Sequence, residues 1–288
     1  MNRIYISDLD GTLLRNNATL SRYARKTLTK LINDNIKFTV ASARNVYSIK
    51  EILQDLPLRM PIIGGNGAYI TDYKTGKHLV VNNISSEISL EILDIIQRHN
   101  CNPFISCYDG RKNNLYYKEA DNYGMKWYLE DRKKAKDKRL RQLKVIEEAL
   151  DDRVISFIIM EKKENLVELT NYLNENYSEL LEIHAMENQY SPGWYWLTIL
   201  DKRATKRQAI KTLMELENLE GYETIVFGDN VNDMHMFEGA DRAIAVNNAK
   251  AELKDRATEI IGENQQDSVV NFIMQDAYEE PKKLQEAY

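Results

Sequence analysis

A short apolar strand near the start of the chain, residues 4–6, runs directly into the segment Ser7-Asp8-Leu9-Asp10-Gly11-Thr12-Leu13. In extended chain, residues two apart point to the same side, so the carboxylates of Asp8 and Asp10 are expected to lie close together at the end of a strand. Gly11 lets the backbone turn at once. Two such carboxylates repel each other and ordinarily need a cation between them. An isolated Asp-Gly is equally typical of a plain turn, so the rest of the chain has to decide.

Apolar segments alternate between the patterns of strand and helix on both sides of a long middle region. This alternation predicts an α/β fold, in which a doubly wound parallel sheet carries helices on both faces. We predict a discontinuous core domain at residues 1–83 and 196–275, a second α/β domain inserted at 84–195, and a C-terminal tail at 276–288. The predicted core elements are strands at 4–6, 37–41, 62–63, 224–227 and 243–246, and helices at 21–33, 47–56, 206–217 and 233–237.

Composition excludes several classes of protein. The 288 residues carry a net charge of −5, which argues against a general nucleic-acid binder, because phosphate contacts need a basic surface. No apolar run approaches the length of a membrane span, and Asp8 and Asp10 interrupt any signal-peptide pattern. Cys101 and Cys107 fit no metal or redox spacing and are expected to be reduced, buried thiols. We therefore expect a cytoplasmic protein without nucleic-acid or membrane partners.

Four groups of polar residues follow predicted strands or begin a predicted helix. Open parallel sheets bind their ligands at the carboxyl ends of the strands, so these groups are expected to meet. Each has an ordinary explanation when taken singly, as a cap, a turn or a solvated charge. The groups are Asp8 with Asp10, Ser42 with Arg44, Lys206, and Asp229 with Asn232 and Asp233.

Binding of a phosphoryl group beside Mg²⁺ would explain all four groups together. Magnesium prefers hard oxygen ligands, which Asp8, Asp10 and Asp229 could supply. Lys206, Ser42 and Asn232 could donate hydrogen bonds to the phosphoryl oxygens, over which the transition-state charge is spread.

The order D-x-D-G-T, a strand-end Ser, a helix-start Lys and G-D-x-x-N-D resembles the haloacid dehalogenase superfamily of phosphohydrolases. The insertion after the third strand resembles the large α/β cap of the Cof-like subfamily, and Asn66-Gly67-Ala68 matches the segment that usually precedes that cap. The resemblance covers nearly the whole chain. It implies a Rossmann-like core with an inserted cap domain that contributes to substrate specificity.

Roles for individual residues follow from this resemblance. Asp8 would be the nucleophile that forms an aspartyl-phosphate. Asp10 would act as the general acid and base, with its backbone carbonyl reaching the metal. Lys206 would neutralise the phosphoryl group, although Lys202 remains a rival for this role. The remaining phosphate- or substrate-binding residues would be Leu9, Ser42, Arg44 and Asn232, and the metal would be held by Asp8, Asp10, Asp229 and Asp233.

The resemblance implies a Mg²⁺-dependent phosphatase that acts on small phosphorylated metabolites, with sugar phosphates as the expected substrates. Two alternatives stay open at this point. The same scaffold could pass the phosphoryl group to a sugar hydroxyl, as a phosphotransferase or mutase does. It could also serve as a noncatalytic phospho-acceptor, although retention of Asp10 argues for turnover. A monomer or a weak homodimer is expected.

Overall fold

The structure is a computed structural model, which describes residues 2–188 and 191–278. In chain order its strands are β1 (Arg3–Ser7), β2 (Lys37–Val40), β3 (Ile62–Gly64), β4 (Tyr69–Thr71), β5 (His78–Val81), β6 (Pro103–Tyr108), β7 (Asn113–Tyr117), β8 (Leu140–Gln142), β9 (Arg153–Glu161), β10 (Leu181–Glu187), β11 (Tyr195–Asp201), β12 (Glu223–Gly228), β13 (Arg242–Ala245) and β14 (Glu259–Ile260). Its helices are α1 (Arg22–Asn33), α2 (Val46–Leu53), α3 (Ser86–Arg98), α4 (Tyr123–Lys134), α5 (Lys163–Tyr177), α6 (Lys206–Leu216), α7 (Met234–Glu238), α8 (Ala251–Lys254) and α9 (Ser268–Tyr278).

The chain divides into two compact units. The core unit combines the residues up to Val80 with those from Thr205 onward, and the inserted unit comprises Val81–Ala204. This arrangement confirms the predicted fold class, a Rossmann-like parallel-sheet core interrupted by an inserted α/β cap domain.

The core unit is built on a parallel sheet with the strand order β14-β13-β12-β1-β2. A parallel bridge between Ala41 and Ile63 continues this sheet toward β3, which pairs antiparallel with β4. In β1, Ile4, Tyr5 and Ile6 are all fully buried. A parallel strand covered on both faces has this run of buried residues, because neither set of alternating side chains reaches solvent. The segment Asp8–Thr12, which we call the first motif, therefore follows a strand in the middle of the sheet.

Side-chain caps fix where the helices of the core unit begin. The Ser21 hydroxyl accepts a hydrogen bond from the Ala24 N–H at 2.8 Å and so caps α1. The Thr205 hydroxyl accepts from the Gln208 N–H at 3.2 Å and caps α6. Such caps satisfy N–H groups that have no partner inside the helix. The cap at Thr205 makes Lys206 the first residue of α6, with a buried side chain.

The last helix ties the end of the described chain to its first strand. Asp276 in α9 accepts hydrogen bonds from the Tyr5 hydroxyl at 2.7 Å and from the guanidinium of Arg242 at 2.7 Å, and it also pairs with Arg3. The predicted C-terminal tail begins within α9, which continues to Tyr278. The rest of that predicted tail lies outside the described residues.

The inserted unit contains a six-stranded sheet in the order β10-β11-β9-β6-β7-β8, in which β7 and β8 are parallel and the other neighbours antiparallel. One apolar cluster joins this sheet to α3 and α5, and a second joins it to α4. Strand β11 pairs with β9 and β10, so residues 196–201 belong to this sheet and not to the core. The predicted boundary at 195/196 is therefore corrected to 204/205.

Within the part of the chain that the structure describes, no helix combines the length and the apolar character needed to cross a membrane. Cys101 and Cys107 are both buried and free of disulfide bonds. Burial raises the pKa of the Cys101 thiol to about 11, so this side chain stays protonated and unreactive near neutral pH.

Candidate active site

Asp8 follows β1 directly and lies at the carboxyl end of that central strand. Its N–H donates to the carbonyl of Phe227 at 2.9 Å, which continues the pairing of β1 with β12. Only 5% of Asp8 is exposed. A carboxylate this deeply buried needs a partner, because removing its charge from water costs several kcal/mol.

Lys206 supplies that partner. Its ammonium lies 2.5 Å from Oδ1 of Asp8 and 2.6 Å from Oδ1 of Asp233, and the residue is 2% exposed. The rival lysine is placed differently. The Lys202 ammonium lies 3.3 Å from Glu182 in the inserted unit, and half of its side chain is exposed. Of the two lysines, Lys206 is therefore the one in contact with the carboxylate that the first motif provides.

Asp229 and Asp233 complete a group of three carboxylates. One oxygen each from Asp8, Asp229 and Asp233 lies within 4.8 Å of the other two, and we call these three residues the acidic cluster. Oδ2 of Asp233 accepts hydrogen bonds from the N–H groups of Asp229 at 3.0 Å and Asn230 at 3.2 Å, which fixes the loop after β12. Oδ1 of Asp229 accepts from the Thr12 hydroxyl at 3.0 Å. The cluster therefore joins two strand ends that are far apart in sequence.

Two glycines make this close approach feasible. Gly11 has a φ of +75°, and a Cβ built there would lie 2.4 Å from Oδ2 of Asp229. A Cβ on Gly228 would lie 2.7 Å from the side chain of Asp233. Both distances are far below van der Waals contact, so any larger residue would push the acidic cluster apart. The glycines of the first and last motifs are thus explained by packing against carboxylates.

The charges of the acidic cluster are only partly balanced. Burial raises the pKa of Asp8, with the Lys206 ammonium acting in the opposite direction and the Asp233 carboxylate adding to the rise. Burial, together with the Asp233 charge, raises the pKa of Asp229 to about 6. Burial alone would lower the pKa of Lys206, but Asp233 and Asp8 raise it above its ordinary range. Three ionised carboxylates beside one ammonium have an excess of negative charge, which a divalent cation would balance.

The raised pKa of Asp229 predicts a pH-dependent stability in the metal-free protein. A carboxyl whose folded-state pKa lies above its unfolded value stabilises the fold fully below pH 3.8, and this contribution is lost as the pH rises to about 6. We therefore expect the Tm of wild type, measured relative to that of Asp229→Asn in EDTA, to fall between pH 4 and pH 6. Thermal unfolding at a series of pH values measures this difference. A difference that stays constant over the range would contradict the proposed charge balance.

Asp10 lies next to the acidic cluster in sequence, but its carboxylate has a different partner. Nε and Nη2 of Arg44 donate to its two oxygens at 2.6 and 2.7 Å. The Asp8 carboxylate contacts Lys206, so the two carboxylates have different partners in this structure. The chain leaves the extended strand after Ser7 and turns at Gly11, so residues 8 and 10 no longer follow strand alternation. A metal contact through the backbone carbonyl of Asp10 stays a prediction.

The remaining predicted residues surround this region in the core unit. Ser42 is buried, and its hydroxyl accepts the Arg44 N–H at 3.2 Å. The Leu9 side chain is fully buried, so only its backbone is available to a ligand. Asn232 donates to Oδ1 of Asn66 at 3.4 Å, which links the last motif to the Asn66-Gly67 loop.

Three supporting residues have roles that the sequence analysis missed. Thr12 belongs to the first motif and holds Asp229. Ser48 accepts a hydrogen bond from Nη1 of Arg44 at 3.0 Å. Asn248 donates to the carbonyl of Gly11 at 2.7 Å and so anchors the loop after β1. Asn248 lies just beyond β13, and its place at a strand end was the signal that could have identified it.

Comparison with known proteins agrees with this geometry. A family model of haloacid dehalogenase-like hydrolases matches residues 5–273. The Bacillus subtilis 5-amino-6-(5-phospho-D-ribitylamino)uracil phosphatase YwtE is 27% identical over 281 residues, which cover 93% of this chain and 96% of that protein. The Escherichia coli pyridoxal phosphate phosphatase YbhA is 23% identical over 276 residues, covering 94% and 97%.

Solved structures show the same fold. TM0651 from Thermotoga maritima superposes with a TM-score of 0.77 at 24% identity, covering 96% of this chain and 97% of that one. A haloacid dehalogenase-like hydrolase from Bacteroides thetaiotaomicron gives the same TM-score at 20% identity, covering 96% and 100%. With its motifs at the strand ends of one parallel sheet and the family model matched from the first strand to the last helix, the chain belongs to the haloacid dehalogenase-like hydrolases, in their Cof-like subfamily.

Proposed function

We propose that the protein is a Mg²⁺-dependent phosphatase that hydrolyses small phosphorylated metabolites through an aspartyl-phosphate on Asp8. The observation that carries this proposal is the contact of Lys206 with the buried Asp8 carboxylate, beside the carboxylates of Asp229 and Asp233. This arrangement presents a nucleophilic oxygen, a fixed positive charge and ligand oxygens for a metal at one strand end.

The donor set fits a magnesium ion. The acidic cluster offers three carboxylates, and when all three are ionised they carry two negative charges beyond the one that Lys206 balances. Hard carboxylate oxygens suit Mg²⁺ better than softer metals. Under this proposal Asp8, Asp229 and the backbone carbonyl of Asp10 would hold the ion, and Asp233 would hold its surrounding shell. Bound Mg²⁺ would supply positive charge that offsets the negative charge of the phosphoryl group.

The chain's own residues would then act in two steps. An oxygen of Asp8 attacks phosphorus while the bond to the leaving oxygen breaks, and Asp10 gives its proton to that oxygen. A water next attacks phosphorus and loses a proton to Asp10, and the bond between Asp8 and phosphorus breaks to release inorganic phosphate. Lys206, Ser42 and the backbone N–H of Leu9 would stabilise the phosphoryl oxygens. Asn232 would face the phosphoryl group.

The names of the relatives support a small phosphate monoester as substrate. YwtE and YitU of Bacillus subtilis are both 5-amino-6-(5-phospho-D-ribitylamino)uracil phosphatases, which act on a phosphate carried by a sugar-like chain. YbhA is a pyridoxal phosphate phosphatase. We extend this chemistry to the present chain as a preference for sugar phosphates and related metabolites.

A screen of the purified full chain over a panel of phosphorylated metabolites with Mg²⁺ tests the proposal. We expect release of inorganic phosphate, ranked between substrates by kcat/KM, and no isomerised sugar among the products. Isomerised or newly phosphorylated sugar would favour a mutase or phosphotransferase. Failure to release phosphate from any ester would overturn the proposal.

Metal dependence gives a second prediction with a readout apart from turnover. Mg²⁺ at about 100 times its Kd stabilises a protein that binds it only when folded by about 2.7 kcal/mol. We expect Mg²⁺ to raise the Tm of wild type by several degrees and to restore activity lost in EDTA. The Asp229→Asn variant should lose most of this shift. Asp241→Asn serves as the control, because it changes a carboxylate that accepts a hydrogen bond from Thr224. This variant should keep the rise in Tm caused by Mg²⁺.

A further inference from the structure

The ion pair between Arg44 and Asp10 occupies both oxygens of the carboxylate. Nε of Arg44 lies 2.6 Å from Oδ2, and Nη2 lies 2.7 Å from Oδ1. This two-point geometry is the strongest form of an arginine–carboxylate contact. A carboxylate held in this way directs one lone pair of each oxygen at the guanidinium, which leaves less room for another proton donor or acceptor.

Arg44 is itself held in place from several sides. Its Nη1 donates to the Ser48 hydroxyl at 3.0 Å, and its N–H donates to the Ser42 hydroxyl at 3.2 Å. Its carbonyl accepts the Gly65 N–H at 2.9 Å. The guanidinium therefore extends from an anchored loop, and the hydroxyl proposed to bind the phosphoryl group contacts the backbone of the same residue.

Acid–base work by Asp10 requires this ion pair to open. A carboxyl that protonates a leaving oxygen must present one oxygen to it, and the same oxygen must later accept a proton from water. The ion pair is partly exposed, with 29% of the Arg44 side chain and 51% of the Asp10 side chain accessible. Such pairs are weak enough to exchange for another anion. A phosphate dianion suits the guanidinium fork as well as a carboxylate does.

We propose that Arg44 holds the acid–base carboxylate in the resting protein and releases it when the phosphoryl group of a substrate takes over the guanidinium. Arg44 is then a positioning residue that couples substrate binding to the release of Asp10. The inference rests on the proposed function. It implies that Asp10 and a bound phosphate compete for one guanidinium, so the two interactions are thermodynamically linked.

A double-mutant cycle measures this competition through binding of orthophosphate in the presence of Mg²⁺, by titration calorimetry of the full chain. In wild type, phosphate must displace Asp10 before it gains Arg44. In Asp10→Asn the guanidinium has no carboxylate to give up. We therefore expect Arg44→Gln to weaken phosphate binding about fivefold more in the Asp10→Asn background than in wild type, which corresponds to about 1 kcal/mol of coupling.

Charge effects alone give a different outcome. If the two side chains act only through their charges, Arg44→Gln weakens binding by the same factor in both backgrounds, and this result would overturn the proposal. The matched control is the cycle of Arg3→Gln and Glu223→Gln, an ion pair at the amino ends of β1 and β12. It should leave phosphate affinity unchanged in all combinations.

Steady-state kinetics separate the inference from the proposed function. We call the release of Asp10 from Arg44 on phosphate binding the switch. If the switch operates, Arg44→Gln lowers kcat/KM mainly through a higher KM, and Arg44→Lys recovers part of that loss. A fall in kcat at constant KM would show that Arg44 is needed after substrate binding, which contradicts the switch. An inactive wild type would overturn the proposed function, whereas an active wild type with an additive cycle overturns the switch alone.

Discussion

Replacing Asp8 by asparagine is expected to lower phosphate release from p-nitrophenyl phosphate by a factor on the order of 10⁴–10⁶, the range expected when a covalent nucleophile is removed. The amide has nearly the same shape but cannot attack phosphorus. The fold should survive, because burial disfavours the charged form of Asp8 and Lys206 keeps its contact with Asp233. Turnover and thermal unfolding, measured on the same preparation, check both parts.

The matched control for this variant is Asp241→Asn, which removes a carboxylate of the core unit that accepts hydrogen bonds from Thr224. It should retain near-normal turnover. An Asp8→Asn protein that hydrolyses the ester at a rate close to wild type would show that Asp8 is not the nucleophile.

Replacing Lys206 by methionine should give the largest loss of stability. The substitution leaves the Asp8 and Asp233 carboxylates buried without their shared ammonium. Breaking a buried ion pair from one side costs about 3–5 kcal/mol, which lowers Tm by roughly 10 °C in a chain of this size. Thermal unfolding without metal measures the loss. The loss should shrink as the pH falls, because protonation removes the unpaired charges.

Lys202→Met provides the comparison, because half of this lysine side chain is exposed and its partner Glu182 also contacts His184. An ion pair whose cation reaches solvent contributes up to about 1 kcal/mol, so its effect on Tm should be small. Equal effects of the two substitutions would mean that the Lys206 contacts contribute little to the fold. In an activity assay, Lys206→Met and Lys202→Met together test which of the two lysines binds the phosphoryl group.

Local sequence pattern predicted the central strands of the core. Apolar segments such as residues 4–6 and 224–227 are bounded by polar groups, and both are strands in the structure. Because parallel strands end at one edge of a sheet, the positions of Asp8 and Asp229 at strand ends predicted their proximity. The structure brings Lys206 to them from the first turn of α6. Their catalytic roles stay predictions until the variants are measured.

The partner of Asp10 could not be predicted from local spacing. Strand alternation would direct Asp8 and Asp10 to the same side, but the strand ends at Ser7 and the loop after β2 brings Arg44 to Asp10. Pairing of this kind depends on how two loops meet in space. The sequence contains no periodic signal for it.

The predicted boundary of the inserted unit differs from the observed one for a similar reason. The apolar residues at 196–200 lie in a strand, Tyr195–Asp201, but only its pairing shows which sheet it joins. The neighbouring strand, Leu181–Glu187, lies at the edge of that sheet and shows no alternation of buried and exposed residues. Without such alternation, pattern analysis has nothing to detect.

The ties from α9 to β1 have a consequence for how the protein is made on the ribosome. Strand β1 is synthesised before the inserted unit, yet it pairs with β12 and its Tyr5 hydroxyl bonds to Asp276, both of which are synthesised after that unit. The inserted unit, by contrast, is continuous in sequence and can pack while translation proceeds. The core sheet therefore cannot be completed until β12 has been synthesised, and until then β1 lacks one of its two neighbouring strands. A chaperone would be most useful during this interval.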